Sequence, residues 1–483
     1  MNTTNISIIV AVDKSGGISK NGIIPWQIKE DMSFFIDVTK REYRPKLKNI
    51  LIMGKNTWLA CKDTLKNREI IVVSKTVSVE NYNDTHLAFT FEEALTMANE
   101  MNVGHIFICG GSAIYKEAFN YKINTIYLTT IDHDYECDNK INMDLKNYNT
   151  FSTNTFKLLD LNNQNEVNVT FQKLYLTLPD HWQWTEERQY LNLLNDVLTK
   201  GNFRQTRNSK TWSKFGKTLE FDLSKGFPLL TSKKCNFFGA FQELLFMLQG
   251  KTNTTLLSEL GVKFWDGNTT REFLDSVGLN HYEVGTMGTA YGFQLRHFNA
   301  NYVYKHTDYA GQGFDQINYC INLLKTDPYS RRIMMTTYNP AQASTGCLTP
   351  CHGTAIVFNV ELKNNLYHLS CMMTQRSADL GSGFYLNICE YSLQVYMLCE
   401  IINNDPNYTG IKFTSGRLVI NLGDTHIYES HYSQAIRQLL RDPYKFPQLK
   451  INRKVTELTD FKFEDFELMG YNPYPGILCK MVV

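Results

Sequence analysis

The sequence predicts an N-terminal α/β domain with a mostly parallel central sheet, followed by a second and larger domain. The chain has 483 residues, which exceeds the usual size of one domain. Within roughly the first 176 residues, short runs rich in β-branched residues alternate with helical stretches such as Phe91–Glu100. The strand-like runs are Ile6–Val12, Ile50–Met53, Ile70–Val73, Ile106–Cys109 and Thr125–Thr129. Such alternation is typical of a parallel sheet covered by helices.

The boundary between the two domains is predicted near residues 177–181. An Asn-rich stretch at 162–168 precedes a closing strand at Thr170–Leu176. Pro179 and Asp180 then interrupt the pattern, and a helix with Trp182 and Trp184 near its start should follow. We therefore expect domains at residues 1–177 and 178–483, joined by a very short linker.

Charge and cysteine content exclude several classes of protein. The chain has 49 basic and 48 acidic residues, so the composition argues against a nucleic-acid-binding surface. No apolar run reaches the ~18 residues that span a bilayer, and Ile6–Val12 is too short for a signal sequence. Eleven scattered cysteines without a CxxC pair indicate free thiols in a reducing compartment. We expect a cytoplasmic protein without a metal site.

The clearest helix of the second half is Asn236–Gln249, with Gly250 as its C-terminal stop. It is apolar almost all round, which predicts burial. Glu243 is the only charged residue inside it. Because an isolated buried charge is costly, Glu243 should be paired or functional.

In the first half, Asp31 follows Pro25-Trp26 at the start of a helix and is surrounded in sequence by Met32, Phe34 and Phe35. A carboxylate beside apolar rings suits a flat heterocycle, because the acid can bind an amidine-like edge while the rings cover the faces. The alternative is that Asp31 is only a helix N-terminal residue.

Three segments that follow strands could bind phosphate groups. Gly110-Gly111-Ser112 leads into a helix, where glycines allow backbone N–H groups to approach a pyrophosphate. Gly54-Lys55-Asn56-Thr57 and Ser74-Lys75 add two lysines and hydroxyls, which favour NADPH over NADH. A glycine pair is also a common turn, and the G-x-G-x-x-G fingerprint is absent.

Taken together, the first half resembles the dihydrofolate reductase family over essentially its whole length. The matching segments are Ile9-Val10-Ala11, Ile24-Pro25-Trp26, Asp31, Met53–Trp58, Arg68, Cys109-Gly110-Gly111 and Tyr127-Leu128-Thr129. The resemblance implies that Asp31, with Thr129 behind it, binds the pterin edge and promotes its protonation. It also implies that Arg68 binds the glutamate α-carboxylate of the folate as a bidentate pair. Folate contacts are further implied for Ala11 and Phe35.

The same resemblance implies the residues that contact NADPH: Ala11, Ile18, Lys55, Thr57, Ser74, Lys75, Gly110, Gly111, Ser112, Ala113 and Tyr115. Two segments depart from the family pattern. A Gly-Ile-Gly motif is Gly17-Ile18-Ser19 here, and a Pro-Leu-Pro-Gly-Arg motif is Thr64-Leu65-Lys66-Asn67-Arg68. These departures concern the geometry of two loops.

In the second half, Cys351 stands out among the cysteines because it follows Pro350 and arginines recur in the same half. These arginines are Arg207, Arg331, Arg332 and Arg376. Positive charge favours the thiolate, which is the nucleophilic form, and arginines also indicate a phosphorylated substrate. The alternative, which holds for most cysteines, is a buried small apolar side chain.

The second half resembles the thymidylate synthase family over nearly all its length, which implies an α+β domain with a large mixed sheet that forms a homodimer. The matching segments are 227–234, 243–245, 264–268, 291–294, 331–334, 350–352, 375–379, Asn387, 423–428 and 470–473. The resemblance implies that Cys351 attacks C6 of dUMP and that C5 then attacks the methylene of 5,10-methylenetetrahydrofolate. Tetrahydrofolate gives up the hydride, so dihydrofolate leaves and becomes the substrate of the first half.

Roles for other residues follow from the same resemblance. Glu243 organises water for proton transfers, Asn387 reads the uracil edge, and Tyr291 belongs to the catalytic set. Trp265 and Asp379 contact the folate. The residues implied to bind dUMP are Arg207, Arg376, Ser377, Asp379, Asn387, His426 and Tyr428, together with Arg331 and Arg332 of the partner subunit.

Three segments depart from the synthase pattern, and two other functions stay open. The departures are Arg207–Trp212, which lacks two family glycines, Thr286–Gly292, and Gly383–Asn387. A nucleotide hydroxymethylase would share the thiolate attack, but a site that reads cytosine favours Asp where Asn387 stands. An RNA-binding regulator that has lost catalysis is disfavoured by the balanced charge and by retention of the key residues.

Overall fold

The computed structural model describes residues 5–177, 185–207 and 209–482, which form two compact units, Met1–Gln183 and Trp184–Val483. The predicted linker residues Pro179 and Asp180, the tryptophans Trp182 and Trp184, and Asn208 of the predicted phosphate loop lie outside the described residues. Each unit is therefore considered by itself. Within the described residues, no helix combines the length and the apolar character needed to cross a membrane.

The first unit is built on an eight-stranded sheet with helices between its strands, and two short strands form a separate two-stranded sheet. In chain order its elements are β1 (Ile6–Asp13), β2 (Gly17–Ser19), α1 (Lys29–Lys40), β3 (Ile50–Gly54), α2 (Lys55–Cys61), β4 (Glu69–Val73), β5 (Thr85–Ala88), α3 (Phe91–Glu100), β6 (Ile106–Ile108), α4 (Ser112–Ala118), β7 (Thr125–Ile131), β8 (Asn139–Lys140), β9 (Asn149–Asp160) and β10 (Asn165–Tyr175).

The strand order of the eight-stranded sheet is β5-β4-β3-β6-β1-β7-β10-β9, and β2 and β8 form the separate two-stranded sheet. All pairs from β5 to β7 are parallel, and only the β7–β10 and β10–β9 pairs are antiparallel. The predicted α/β fold with a mostly parallel sheet is confirmed. Ile50–Met53 of β3 are fully buried, as expected for a parallel strand that helices cover on both faces.

The parallel strands end at one edge of the sheet, and this brings distant loops together. The N–H of Gly54, at the end of β3, donates to the carbonyl of Gly110 after β6 at 2.7 Å. Gly110 has a φ of +105°, and a Cβ there would lie 3.0 Å from the ring of Tyr115. Both its backbone conformation and the close approach of Tyr115 therefore require glycine.

One boundary differs from the sequence expectation. Only the first part of the Asn-rich stretch forms a turn, since β10 already begins at Asn165 and pairs with β9 along its whole length. Alternation explains the difference, because Val167, Val169 and Phe171 are buried while Glu166 and Asn168, on the opposite face, are exposed. Polar residues on the outer face concealed the strand.

The second unit combines a mixed sheet with helices. Its elements are α5 (Glu187–Lys200), β11 (Asn202–Gln205), β12 (Lys210–Asp222), α6 (Phe237–Leu248), α7 (Thr255–Glu259), α8 (Arg271–Ser276), α9 (Gly292–His297), α10 (Gln316–Thr326), β13 (Met334–Met335), β14 (Ala355–Lys363), β15 (Leu366–Asp379), α11 (Phe384–Asn404), β16 (Phe413–Tyr428), α12 (Tyr432–Leu439), β17 (Gln448–Ile451) and β18 (Phe466–Met469). Four 3-10 helices are described at Pro340–Thr345, Glu429–His431, Leu458–Asp460 and Phe463–Asp465.

Six strands of this unit form a sheet of order β11-β12-β16-β15-β14-β13. The β15–β16 pair is parallel and the remaining pairs are antiparallel, so the predicted mixed sheet is confirmed. Helix α11 packs on β15 and β16 and contacts α6, so both helices are largely buried. The predicted helix Asn236–Gln249 forms, with the Asn236 side chain accepting from the Gly239 N–H at 2.9 Å as its N-cap.

A buried acid secures the start of α5 in this unit. Glu187 is fully buried, and one carboxylate oxygen accepts from the Ser232 N–H at 2.9 Å. The other oxygen accepts from the N–H and the hydroxyl of Thr231, at 2.8 and 2.7 Å. Every oxygen of the carboxylate therefore faces a donor, which ties α5 to the segment that precedes α6.

We expect Glu187→Gln to destabilise the second unit by about 1–3 kcal/mol, because either amide orientation turns an NH₂ group toward a buried donor. The measurement is the midpoint of urea-induced unfolding of the second unit. Glu259→Gln, a change at an exposed helical glutamate, is the matched control. Equal midpoints for the two variants would contradict the role given to Glu187.

Candidate active sites

The first site is organised around Asp31, in the first turn of α1. Its carboxyl group is hydrogen-bonded by the side chains of Thr129, on β7, and Trp26. Burial outweighs these two bonds and raises the pKa of Asp31 to about 6. The carboxyl is thus bound by groups from other elements, which argues against a role as a helix N-terminal residue alone.

The aromatic neighbours of Asp31 differ from the sequence expectation. Phe34 points into the core, where its ring packs 5.3 Å from that of Phe171, and Met32 is exposed. Phe35 is half-buried, with the Arg68 guanidinium carbon 6.0 Å from its ring centroid. The expectation that Met32, Phe34 and Phe35 together surround the acid is therefore wrong for Phe34, because alternate faces of α1 meet the core and the site.

Arg68 is almost completely buried. One guanidinium nitrogen donates to the Thr39 hydroxyl at 2.8 Å, while the Nε of Arg68 is buried without a hydrogen-bond partner among the described residues. Burial lowers the pKa of this arginine, although it stays charged at neutral pH. A buried cation with an unpaired donor is suited to an incoming carboxylate.

The candidate phosphate-binding residues lie where strands of the parallel sheet end. Lys55 and Thr57 occupy the first turn of α2, Ser74 and Lys75 follow β4, and Ser112 and Ala113 begin α4 directly after the Gly110-Gly111 pair. A Cβ on Gly111 would lie 3.6 Å from the Thr57 hydroxyl, so the first turns of α2 and α4 are adjacent. Ile18 lies on β2, outside the main sheet.

The acid and the glycine loop belong to one region of the sheet. Ala11 on β1 is in register with Thr129 on β7, next to Asp31. The Tyr115 hydroxyl, on α4, donates to the Ile9 carbonyl at 2.8 Å. Burial first, and then the charges of Cys109 and Asp31, raise the pKa of Tyr115, so the hydroxyl and the carboxyl are electrostatic neighbours.

The second site is centred on Cys351, which is partly accessible just before β14. Its sulfur lies 3.5 Å from a guanidinium nitrogen of Arg376, on β15. The same arginine donates to the carbonyls of Pro350 and Thr349, at 2.9 and 2.7 Å, which fixes the guanidinium beside the thiol. A fixed cation is therefore in contact with the sulfur.

Tyr291 supports Cys351 from the opposite side. The Cys351 N–H donates to the Tyr291 hydroxyl at 2.9 Å, across 60 residues of sequence. Tyr291 has a φ of +45°, a left-handed conformation that is rare for an aromatic residue and that the surrounding structure must enforce. Its ring also packs 5.5 Å from Trp265 and 4.6 Å from His352.

A chain of buried polar groups lies on α6, α11 and β15. The Trp265 Nε1–H donates to Glu243 Oε1 at 2.7 Å. The Asn387 amide donates to Glu390 Oε2 at 3.1 Å and accepts from Gln375 Nε2 at 3.1 Å. Glu243 is thus paired, as the sequence required of a lone acid in an apolar helix.

Strand register brings a third group of predicted residues together. Ser377 is in register with Asp424, and Asp379 with His426, across the parallel β15–β16 pair. His426 Nδ1 lies 3.4 Å from Asp424 Oδ1, and this contact is the largest cause that lowers the pKa of Asp424. The His426 and Tyr428 rings pack 5.1 Å apart. Asp379 accepts from the Gly381 N–H at 2.8 Å.

Arg207, Arg331 and Arg332 lie in other segments than Arg376. Arg207 is exposed in the turn between β11 and β12, where the Thr206 N–H donates to the Ser209 carbonyl at 2.9 Å. This turn forms although the glycines of the family loop are missing. Arg331 and Arg332 are exposed just before β13, at the far edge of the sheet. β12 and β13 are four strand spacings apart, or about 19 Å.

Trp26, Gln375 and Glu390 complete the two sites, although no role was predicted for them. Trp26 and Gln375 lie inside matched motifs, but only the structure shows that their polar groups face Asp31 and Asn387. Glu390 carries the same signal that drew attention to Glu243, because it is an acid within the apolar run of α11. Applying that rule to every buried helix would have found it.

Fold and geometry define a two-unit protein with a carboxyl-centred site in one unit and a thiol-centred site in the other. The family model described as dihydrofolate reductase matches residues 5–175, and that described as thymidylate synthase matches residues 188–483. The chain belongs to the family of bifunctional dihydrofolate reductase–thymidylate synthases, as full-length relatives show.

Three relatives illustrate the similarity. The bifunctional dihydrofolate reductase-thymidylate synthase of Paramecium tetraurelia is 37% identical over 491 residues, covering 100% of both chains. The bifunctional dihydrofolate reductase-thymidylate synthase 1 of Arabidopsis thaliana is 34% identical over 99% of this chain and 96% of its own length. The protein from Zea mays is 33% identical over 99% of this chain and 97% of its own length.

Proposed function

We propose that the chain catalyses two consecutive reactions of dTMP synthesis, in domains 1–177 and 178–483. The second domain methylates dUMP with 5,10-methylenetetrahydrofolate, which yields dTMP and dihydrofolate. The first reduces dihydrofolate to tetrahydrofolate with NADPH. The observation that carries the proposal is the Cys351 thiol beside Arg376, in a chain whose whole length aligns with bifunctional relatives. Purified protein supplied with dUMP, methylenetetrahydrofolate and NADPH should form dTMP and tetrahydrofolate in equal amounts.

In the reductase domain, Asp31 binds the pterin edge and holds a proton at neutral pH more readily than an ordinary aspartate does. Thr129 and Trp26 orient its carboxyl, and Ala11 and Phe35 flank the folate. Arg68 binds the α-carboxylate, which supplies a partner for its buried Nε. NADPH supplies the hydride when it is bound.

The residues present fit a dinucleotide phosphate group. Gly110 and Gly111 leave room where a side chain would meet Tyr115 or Thr57. Lys55, Thr57, Ser74 and Lys75 provide charge and hydroxyl donors, while Ser112, Ala113 and Tyr115 contribute the first turn of α4. Ile18, on β2, would contribute a further contact to NADPH.

In the synthase domain, the Cys351 thiolate forms a bond to C6 of dUMP, which makes C5 nucleophilic. C5 then bonds to the methylene carbon of the folate as the bond from that carbon to N10 breaks. C5 afterwards loses its proton, and the bond from the methylene carbon to N5 breaks, which releases tetrahydrofolate. Glu243, through ordered water, assists the proton transfers. Hydride from tetrahydrofolate completes the methyl group, and the thiolate leaves as the C6–S bond breaks. Tyr291 holds the backbone of Cys351 in place throughout.

Substrate contacts follow from the same arrangement. Asn387 reads the uracil edge, and His426 with Tyr428 binds the deoxyribose hydroxyl. Arg376, Ser377 and Arg207 bind the phosphate, and Asp379 and Trp265 contact the folate. Arg376 would therefore serve both the phosphate and the thiolate.

We propose that two chains associate through the synthase domain, and that Arg331 and Arg332 of each chain contribute to the phosphate site of the other. Arg331 and Arg332 precede β13, at one edge of the sheet, whereas Arg207 lies in the turn between β11 and β12, toward the other edge. A two-fold dimer would bring these arginines to the partner's phosphate site. The thiols of all eleven cysteines are free, which supports a cytoplasmic location.

Asp31→Asn should lower NADPH-dependent dihydrofolate reduction by about two orders of magnitude or more, because the proton-holding group is lost. For the wild-type protein, the deprotonated form of Asp31 dominates above pH 6 or so, hence kcat/KM for reduction should fall with rising pH. The variant should lack this titration and keep dTMP formation at saturating methylenetetrahydrofolate. Glu92→Gln, at an exposed acid in the first turn of α3, is the control. Near-wild-type reduction at neutral pH by Asp31→Asn would refute the assignment.

Asn387→Asp should move synthase preference from dUMP toward dCMP, because a carboxylate accepts from the exocyclic amine of cytosine and no longer donates to uracil O4. The ratio of kcat/KM for dUMP to kcat/KM for dCMP should fall by about tenfold or more. Asn403→Asp, on the same helix but bonded to Phe413, provides a matched control. An unchanged ratio excludes direct reading of the base by Asn387.

Mixing two inactive variants tests the shared site. Cys351→Ala should inactivate its own subunit's site, and Arg331→Ala its partner's. In a mixed dimer one site is intact and the other carries both lesions, so random exchange should restore about a quarter of wild-type dTMP formation. The measurement is synthase activity with mass analysis of dimer composition. A mixture that stays inactive despite exchanged dimers shows that Arg331 acts within its own subunit.

A further inference from the structure

Two buried acids meet in the synthase unit, and the mechanism above uses only one of them. Glu243, on α6, is 7% exposed, and Glu390, on α11, is 2% exposed. Their carboxyl groups are hydrogen-bonded to each other. Oε1 of Glu390 is completely buried and has no donor from any other described residue. The unpaired oxygen and the neighbouring acid together need a proton.

The other partners of the two acids are neutral. Trp265 donates to Glu243 at 2.7 Å, and Asn387 donates to Glu390 at 3.1 Å. Two ionised carboxylates would repel strongly in such a low-dielectric position. One proton between them replaces that repulsion with a charge-assisted O–H···O⁻ hydrogen bond. Burial raises the pKa of both acids, and the buried Oε1 of Glu390, which lacks any other donor among the described residues, is the oxygen that can carry the shared proton, so Glu390 is the protonated partner.

Among the residues that the structure describes, the titratable groups around the pair do not supply a compensating charge. Tyr291 and Tyr385 interact electrostatically with Glu243, while Cys389 and Tyr391 interact with Glu390. Burial is the largest cause that raises the pKa of all four, and the acids raise it further, so these groups are neutral at physiological pH. From β15, the side chain that approaches Asn387 is Gln375, which is uncharged.

We propose that Glu390 is a positioning residue for the synthase reaction, which holds one proton against Glu243 and fixes the amide of Asn387 with the same carboxyl group. The proposal rests on the synthase function proposed above. This role requires no additional reactant, because Glu243 and Glu390 share a proton that they already hold.

The fixed amide follows from the hydrogen bonds. Because the Glu390 proton is committed to Glu243, Oε2 of Glu390 can only accept, and Asn387 must turn its NH₂ group toward it. On the other side, Gln375 donates both to Asn387 Oδ1 and to the Ser377 carbonyl, at 3.1 and 3.0 Å. Asn387 is thus oriented from both ends. Its second N–H and the second lone pair of Oδ1 remain, and they match O4 and N3–H of uracil and mismatch cytosine.

The shared proton also predicts how the kcat of the synthase reaction changes with pH. Glu390 holds it at neutral pH and releases it as the pH rises through its raised pKa. Release places two negative charges beside Asn387 and leaves Glu243 facing a like charge. Synthase kcat should therefore decline on the alkaline side.

Two variants separate the two parts of the proposal. In Glu390→Gln the amide donates to Glu243 and accepts from Asn387 without a titrating proton, so the alkaline decline in kcat should disappear. In Glu390→Met both contacts are lost, so kcat should fall about tenfold, and the ratio of kcat/KM for dUMP to that for dCMP should fall by a similar factor. Glu390→Gln should keep most of the kcat and of the preference for dUMP that Glu390→Met loses. Glu400→Gln, which changes a half-buried acid on the same helix, should keep the wild-type pH profile.

Infrared difference spectroscopy observes the proton directly. At neutral pH the wild-type protein should show the C=O stretch of a protonated carboxylic acid that is missing from Glu390→Gln and present in Glu400→Gln. Identical spectra, or an unchanged alkaline decline in Glu390→Gln, overturn the shared proton. An unchanged dUMP to dCMP ratio in Glu390→Met overturns the fixing of Asn387.

The reductase rate and the melting temperature of each variant verify that the chain is folded, and if Glu390→Met does not fold, Glu390→Gln and the infrared band still decide on the proton. A wild-type protein that forms no dTMP would refute the proposed function, whereas the infrared band would still test the carboxyl pair.

Discussion

A buried carboxyl group must either be hydrogen-bonded on every side or keep its proton, and both units are arranged around this constraint. Glu187 satisfies it by accepting from three donors, and it serves as a structural tie. Among the described residues, Thr129 and Trp26 hydrogen-bond to Asp31, but burial outweighs these two bonds, so the acid remains partly protonated near neutrality. Glu243 and Glu390 resolve the same conflict by sharing. The number of hydrogen-bond donors around each acid thus distinguishes the structural acid, Glu187, from the acids with a functional role.

Much of the fold was predictable because hydrophobic patterning reports burial on one or both faces. The apolar runs of β1, β3, β4, β6 and β7 are nearly continuous, and all five form parallel strands. Helix α3 begins and ends at the predicted residues, since Thr90 caps it and its buried face is regular. Strand β9 and the first half of β10 escaped prediction, because only one of their faces is buried and the other carries polar residues.

The sites were predictable only where a single residue is chemically out of place. Asp31 among apolar residues and Glu243 in an apolar helix both gave that signal. Contacts between distant segments gave none. The bond from Cys351 to Tyr291 spans 60 residues and depends on a left-handed backbone that no local pattern announces. Phe34 was misjudged for a related reason, since helical phase near a helix start decides which ring meets the core.

The reactivity of the free cysteines toward alkylation reports whether the chain is folded. Eight of the eleven thiols are buried, whereas Cys61, Cys351 and Cys479 are partly accessible. A bulky alkylating reagent therefore distinguishes the native chain, with a few reactive thiols, from the unfolded one, with all of them. Because Cys351 is among the accessible three and touches Arg376, its alkylation would also be slowed by any ligand that covers that arginine. One titration can then report both the integrity of the two cores and the occupancy of the nucleotide site.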